Sequence, residues 1–357
     1  MGAKDHTPKL NRRTFLKTST AAAGSAILAS HLPNTKSVSA ADGYDHRNER
    51  PERMQYRKLG RTNFMCSALV FGCGAALRDP RAVRLLDRAY EQGVNHYDVG
   101  RTYKGSEAAM APFLKRHKGD IWVTSKAPAR ASDALGPDDP MTVAYAKAAM
   151  TYWANQLEAS LAALDTDYVD AYYLMGVNHP GLIASDEAYT GFLKAKEAGK
   201  VGHFGISTHE RAHECLEAAT ETGRYDLAMI AITPSGWYDY RDRALRKGTA
   251  NLKELRPTLD RAREAGIGLV GMKAARHIAL DPYGGRYGEA EKQTMDATKA
   301  FDEHYNAKLL EAPLSPFQRT YAYVLENGLD VVNADMQNFK HFEENVVAAR
   351  TSHEYFA

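Results

Sequence analysis

Three side chains between residues 98 and 126 have the right types to move a proton. Asp98 closes the apolar run Val94–Asp98, Tyr103 follows a few residues on, and Lys126 comes directly after the run Ile121–Ser125. A lysine cation beside a phenol favours the phenolate and lowers the tyrosine pKa. An aspartate beside the lysine holds its charge and its position. The product is a tyrosine able to act as a general acid near neutral pH. Apart from one another, the same residues would be a half-exposed tyrosine and a surface ion pair. A lysine so placed also has a second use, Schiff-base chemistry in a lyase or isomerase.

What brings such residues together is the alternation around them. Met54–Leu59 and Phe64–Met65 flank Gly60-Arg61-Thr62-Asn63 and read as a hairpin. Eight short apolar runs follow: Ser67–Gly72, Val94–Asp98, Ile121–Ser125, Val169–Leu174, Val201–Ser207, Leu227–Ile232, Gly268–Met272 and Asp330–Asn333. Each leads into an amphipathic stretch. The first helix is expected to start at Asp79 as N-cap with Pro80 at its first position. The third carries Leu157, Leu161 and Leu164 on one stripe, and the last covers Phe339–Arg350. This rhythm predicts an α/β fold, a (β/α)8 TIM barrel with an N-terminal β-hairpin. A doubly wound sheet fits less well, because no run is followed by Gly-x-Gly-x-x-Gly. Barrel active sites lie at the C-terminal ends of strands, where Asp98 and Lys126 fall. Residues 279–315 break the rhythm after the seventh run, as a candidate substrate loop or a surface excursion.

Charge and composition narrow the function classes. Lys+Arg total 46 against Asp+Glu 44, for a net charge of +2. Residues 1–40 hold Lys4, Lys9, Arg12, Arg13, Lys17 and Lys36 against Asp5, which leaves 41–357 at −3. No nucleic-acid partner is expected of such a body. Cys66, Cys73 and Cys215 are too few and too scattered for a disulfide framework or a four-cysteine zinc site, and no metal is expected. Cys66 and Cys73 read as buried free thiols before they read as a disulfide. No apolar run reaches the ~20 residues of a membrane helix.

The first 40 residues have the order of a signal peptide: Asn11-Arg12-Arg13-Thr14-Phe15-Leu16-Lys17, a weakly apolar stretch from Thr18 to Ser30, then Val38-Ser39-Ala40. The paired arginines resemble a twin-arginine signal. The expectation is a signal peptide over 1–40, a linker over 41–53 and the barrel over 54–357. The twin-arginine export machinery is then a partner. The mature protein is periplasmic or otherwise extracytoplasmic, with no membrane insertion after cleavage.

Within 54–352 the chain resembles the aldo-keto reductase superfamily. The resemblance is carried by Tyr56-Arg57-Lys58-Leu59-Gly60-Arg61-Thr62, by Asp98 through Glu107, and by Ser160 through Asp170. Gly199-Lys200-Val201-Gly202-His203-Phe204-Gly205-Ile206-Ser207 and Glu343-Glu344-Asn345 add to it. It implies NADP- or NAD-dependent reduction of a small-molecule carbonyl substrate, with Asp98, Tyr103 and Lys126 as catalytic residues and Tyr103 as proton donor. It also implies cofactor contacts at Gly74, Ser207, Thr208, Met272, Lys273 and Asn345, with Ser207 on the nicotinamide amide and Asn345 on the adenine. Two positions depart. Met175 stands where the family places a histidine, and methionine cannot donate a hydrogen bond. His179 lies nearby and is a possible substitute for it. Asp335 and His341 fall where some NADP-preferring members carry Lys and Arg. The alternative is a catalytically decayed NAD(P)-binding or sensor protein on the same barrel.

Overall fold

Strand β1 (Tyr56–Lys58) pairs antiparallel with β2 (Met65–Ser67), Tyr56 opposite Ser67 and Lys58 opposite Met65. A 3₁₀ turn over Gly60–Thr62 joins them, and Asn63 closes it in the left-handed region. This is the expected hairpin. The computed structural model describes residues 43–77, 83–132, 135–276, 278 and 298–356, the side chains of Ala75 and Asp335 excepted. The leader, the Asp79–Pro80 cap and residues 279–297 of the expected substrate loop lie outside the described residues.

Eight parallel strands close on themselves in the order β3 (Leu69–Gly72), β4 (His96–Asp98), β5 (Trp122–Ala127), β6 (Val169–Met175), β7 (Val201–Thr208), β8 (Leu227–Thr233), β11 (Gly268–Met272) and β12 (Val331–Asp335). The closing pair is β12 with β3, Val332 opposite Leu69. Helices follow the strands, among them 106–116, 143–163, 186–197, 212–222, 256–264, 316–326 and 339–351. The fold is the (β/α)8 barrel with its N-terminal hairpin. Beyond the eight runs lies a short hairpin, β9 (Gly236–Asp239) and β10 (Ala244–Leu245), which extends β8 at the active face.

Side chains alternate along each strand, so every second residue enters the barrel. Trp122, Ala171, Tyr173, Leu227, Met229, Val270 and Val331 fill its interior with Leu59, Phe64 and Cys66 from the hairpin. The hairpin therefore plugs the N-terminal end. Phe64 stacks on Trp122 at 4.7 Å between centroids, and both are fully buried. Truncating either to Ala removes about 3–5 kcal/mol of such packing. Residues 43–53 add to this end. Arg47 reaches the Ile121 carbonyl at 2.8 Å and Asp170 at 2.9 Å, and lies over the Phe64 and Trp122 rings. With one end closed by packing, the other end is free to carry chemistry. Cys66, Cys73 and Cys215 are buried free thiols. Among the described residues no helix is long and apolar enough to cross a membrane.

Candidate active site

Asp98 is the last residue of β4 and Lys126 stands near the end of β5; they are 1% and 0% exposed. The Lys126 ammonium donates to Asp98 Oδ1, and to the Val99 carbonyl at 2.9 Å. Its Nζ lies 4.8 Å from the centre of the Tyr103 ring. The pair is buried at the barrel mouth, and each charge feels it. Burial works against the Lys126 ammonium, but Asp98 and the Tyr103 phenol outweigh it and raise the lysine above its ordinary value. Burial pushes the Asp98 carboxyl up, with Lys126 and the Asn333 amide opposing. One layer below, His96 is driven down to about 3 by burial, Lys126 and Arg47. The mouth thus stands on a neutral imidazole, which bonds Thr124 Oγ1 at 2.8 Å.

The loop that carries Tyr103 is tied at several points. Its backbone continues the ladder, Val99 N to the Thr124 carbonyl and Arg101 N to the Lys126 carbonyl, each at 2.9 Å. Gly100 and Gly74 leave room for the phenol. A Cβ on Gly100 would meet Lys126 Cγ at 3.1 Å, and one on Gly74 would meet Tyr103 Cζ at 3.1 Å. Glu107, 2% exposed, fastens the loop from the following helix. It accepts from Arg101 at 2.6 Å and from Ser125 Oγ at 2.7 Å, next to Lys126. Charge-assisted bonds of this kind are short and strong. Glu107 is a positioning residue, and in the sequence it stood only as the end of the Asp98–Glu107 motif.

The other expected site residues divide. Ser207 is fully buried with the inward parity of β7, and its hydroxyl meets only Met229 Sδ, at 3.8 Å. Met272 closes β11 against the barrel interior. Lys273 follows it in the left-handed region at φ 60°, with Nζ 4.2 Å from the Tyr240 ring centre. A non-glycine residue held there marks a place where the structure tolerates strain. Asn345 sits apart on the last helix, 1% exposed, with both side-chain amide atoms buried and unpartnered among the described residues. Thr208 is not brought to the mouth. It has the opposite parity to Ser207, and its hydroxyl donates to the Glu210 carbonyl at 2.7 Å.

Met175 is in register with Ser207 and accepts from Thr102 Oγ1 at 3.3 Å through its sulfur. His179 does not reach back toward it. The imidazole bonds the Asp139 carbonyl at 2.9 Å, and the residue stands at the N-cap position of the helix 180–184 without a side-chain cap bond. Asn333, Met229 and His209 also face or border the mouth, Asn333 at the end of the eighth run and His209 just past the fifth, though no role was assigned to them there.

Residues 68–355 match the Aldo/keto reductase family. The chain belongs to this family. It is 30% identical over 160 residues to an uncharacterized oxidoreductase, YqkF, of Bacillus subtilis (strain 168), a match covering 43% of this chain and about half, 49%, of that protein. It is 23% identical over 266 residues to the aldo-keto reductase AMT2 of Alternaria alternata, covering 65% of this chain and 68% of that one. Among solved structures it resembles the holo form of aldo-keto reductase AKR11C1 from Bacillus halodurans, with a TM-score of 0.58 at 22% identity over 83% of this chain and 90% of that one. The thermostable aldo-keto reductase Tm1743, solved with the inhibitor epalrestat, gives 0.56 at 21% identity over 83% of this chain and 94% of that one. At these identities the structural likeness speaks for the fold.

Proposed function

We propose that this protein is an NAD(P)H-dependent oxidoreductase that reduces an aldehyde or ketone, with Tyr103 as proton donor and NADP or NAD as cofactor. The observation that carries this is the convergence of Asp98, Lys126 and Tyr103 at one barrel mouth. A bound reduced nicotinamide supplies the hydride in such chemistry. The chain's own residues handle the proton. Tyr103 gives its phenolic proton to the carbonyl oxygen as that oxygen gains charge, Lys126 stabilises the phenolate left behind, and Asp98 keeps Lys126 aimed.

The residues present fit a dinucleotide. A buried amide with neither atom paired is rare in a folded protein, and Asn345 has one. It would hold the adenine end. Ser207, barely engaged by a sulfur, would hold the nicotinamide amide. Gly74, Met272 and Lys273 would border the group, and Thr208, whose hydroxyl closes a turn on the Glu210 carbonyl, would shape the loop beside it. His341 is folded into the Asn338 cap, its backbone N–H 2.9 Å from Asn338 Oδ1. A panel of aldehydes and ketones assayed with both reduced cofactors tests the proposal. Turnover of none of them, with cofactor bound, would leave the decayed sensor as the reading.

Met175 is the observation that favours that second reading. One missing donor to a developing oxyanion costs about 10²–10³ in rate at other sites. Tyr103, Lys126 and Asp98 stay in place here, so a slow reductase is expected. Met175→His should raise turnover of a simple aldehyde at least ~10-fold while cofactor affinity stays nearly constant. An unchanged rate in a folded, cofactor-binding variant would show that Met175 is not the missing donor.

We further propose that residues 1–40 export the protein by the twin-arginine route, leaving the barrel periplasmic or otherwise extracytoplasmic. The support is the Arg12-Arg13 pair and the short apolar stretch behind it. Arg12→Lys with Arg13→Lys should leave precursor in the cytoplasm by cell fractionation. Normal export of the double variant would refute this.

A further inference from the structure

His209 directly follows β7 and keeps the inward parity of Ser207, one step further out of the barrel. Its backbone carbonyl accepts from Tyr240 N at 3.0 Å, which ties it to the added β9–β10 hairpin. The two rings lie 5.7 Å apart at a tilt. A Cβ on Gly176 would come 3.9 Å from His209 Cδ2, so one ring edge stands over the residue after Met175. Gly176 has φ 65°, a conformation that keeps this position free of a side chain. The Nδ1 of His209 is buried and has no hydrogen-bond partner among the described residues.

Buried polar atoms are nearly always paired. His179 also has a bare Nδ1, but its other nitrogen is bound to the Asp139 carbonyl. No such local use accounts for His209. Burial first, and then Lys273, Lys126 and Arg276, hold its imidazole well below the ordinary histidine range. A neutral ring offers one donor and one acceptor. It can therefore meet a hydroxyl or a carbonyl, and it is poorly suited to a carboxylate.

We propose that His209 is a specificity-determining residue that hydrogen-bonds a second oxygen of the substrate, a hydroxyl or carbonyl close to the carbonyl being reduced. This rests on the reductase reading for the identity of the bound molecule. β7 lies two strands from β5, and neighbouring strands are about 4.8 Å apart. His209 is therefore too far along the rim to serve the oxygen held at Tyr103. Between them lies Met175, which offers no donor and whose sulfur is turned to Thr102. A substrate extending from Tyr103 past Met175 reaches His209 on the next strand, one step beyond Ser207, which the nicotinamide amide would occupy. The preferred class is then an α- or β-oxygenated aldehyde or ketone.

Hydroxyacetone and butanone test this, because they have nearly the same size and differ in one hydroxyl. The wild type should prefer hydroxyacetone by at least ~10-fold in kcat/KM, a factor worth about 1.4 kcal/mol. His209→Phe should remove that preference through KM, leaving butanone kinetics and cofactor affinity unchanged. His209→Gln, which keeps a donor and an acceptor, should restore most of it. Equal losses on both ketones would mean that His209 only supports the fold, and no preference in the wild type would also overturn the proposal. Binding of both ketones to the cofactor-loaded protein, measured by NMR titration, separates the two readings. Selective binding of hydroxyacetone that His209→Phe abolishes, without turnover, would sustain the role of His209 and sink the reductase. Indistinguishable binding of the two ketones would sink the role of His209 whatever the turnover.

Discussion

Tyr103→Phe should cost about 10²–10⁴ in turnover, the usual worth of a positioned general acid, while cofactor affinity barely changes. The phenyl ring still fits against Gly74 and Gly100, where the tyrosine ring already fills the space that two side chains would need. Only the proton is lost. The alkoxide would then take its proton from water at the mouth, without the Lys126 ammonium to share the charge. Steady-state rates beside fluorescence titration of reduced cofactor check this. Full turnover in Tyr103→Phe would remove the residue from the mechanism.

Lys126→Met carries the second large effect, and stability shows it first. Lys126 is wholly enclosed and is the countercharge of Asp98. Removing one member of a buried pair costs about 3–5 kcal/mol, because the other charge is left without compensation. The Val99 carbonyl loses its donor as well. Asp98 is already raised by burial with Lys126 opposing, so without the lysine it rises further. A carboxyl raised in the folded state binds its proton more tightly there than in the unfolded chain. The variant should therefore be closest to wild type in acid and lose stability as pH rises from the ordinary aspartate value through the raised one. Adding Asp98→Asn should recover much of the stability and none of the activity. Urea unfolding across pH checks both statements. A deficit in Lys126→Met that grows toward acid would contradict this account of the pair.

Much of this fold was legible because parallel strands buried on both faces read as short apolar runs. Gly268–Met272 was read with the bounds it has, and Val169–Leu174 lacked only Met175. The β9–β10 hairpin was missed because Thr233-Pro234-Ser235-Gly236 reads as a loop and the pairing beyond it is two residues long. Asp98, Tyr103 and Lys126 were legible because barrel chemistry sits at strand ends and their spacing matched a family. The clamp on Tyr103 was not. Glu107 matters through Ser125 on another strand, and no local pattern contains that contact. Thr208 shows what alternation does along one strand. Its neighbour Ser207 faces inward, so alternation alone turns residue 208 away, and its hydroxyl closes a turn instead. His209 stood at the same strand end in the sequence, but no motif gave it a role; it lies past the strand and keeps the inward parity.

The central claim is hydride transfer to a carbonyl at the Tyr103–Lys126–Asp98 mouth. NADH and NADPH carrying deuterium at both C4 positions of the nicotinamide should be incubated with the protein and the carbonyl panel, and the products read by mass spectrometry and NMR. The account predicts an alcohol with one deuterium on its carbinol carbon from at least one substrate, and at most ~1% as much from the same substrate with Tyr103→Phe over the same time. No alcohol from any carbonyl, or an alcohol without deuterium on that carbon, would contradict it.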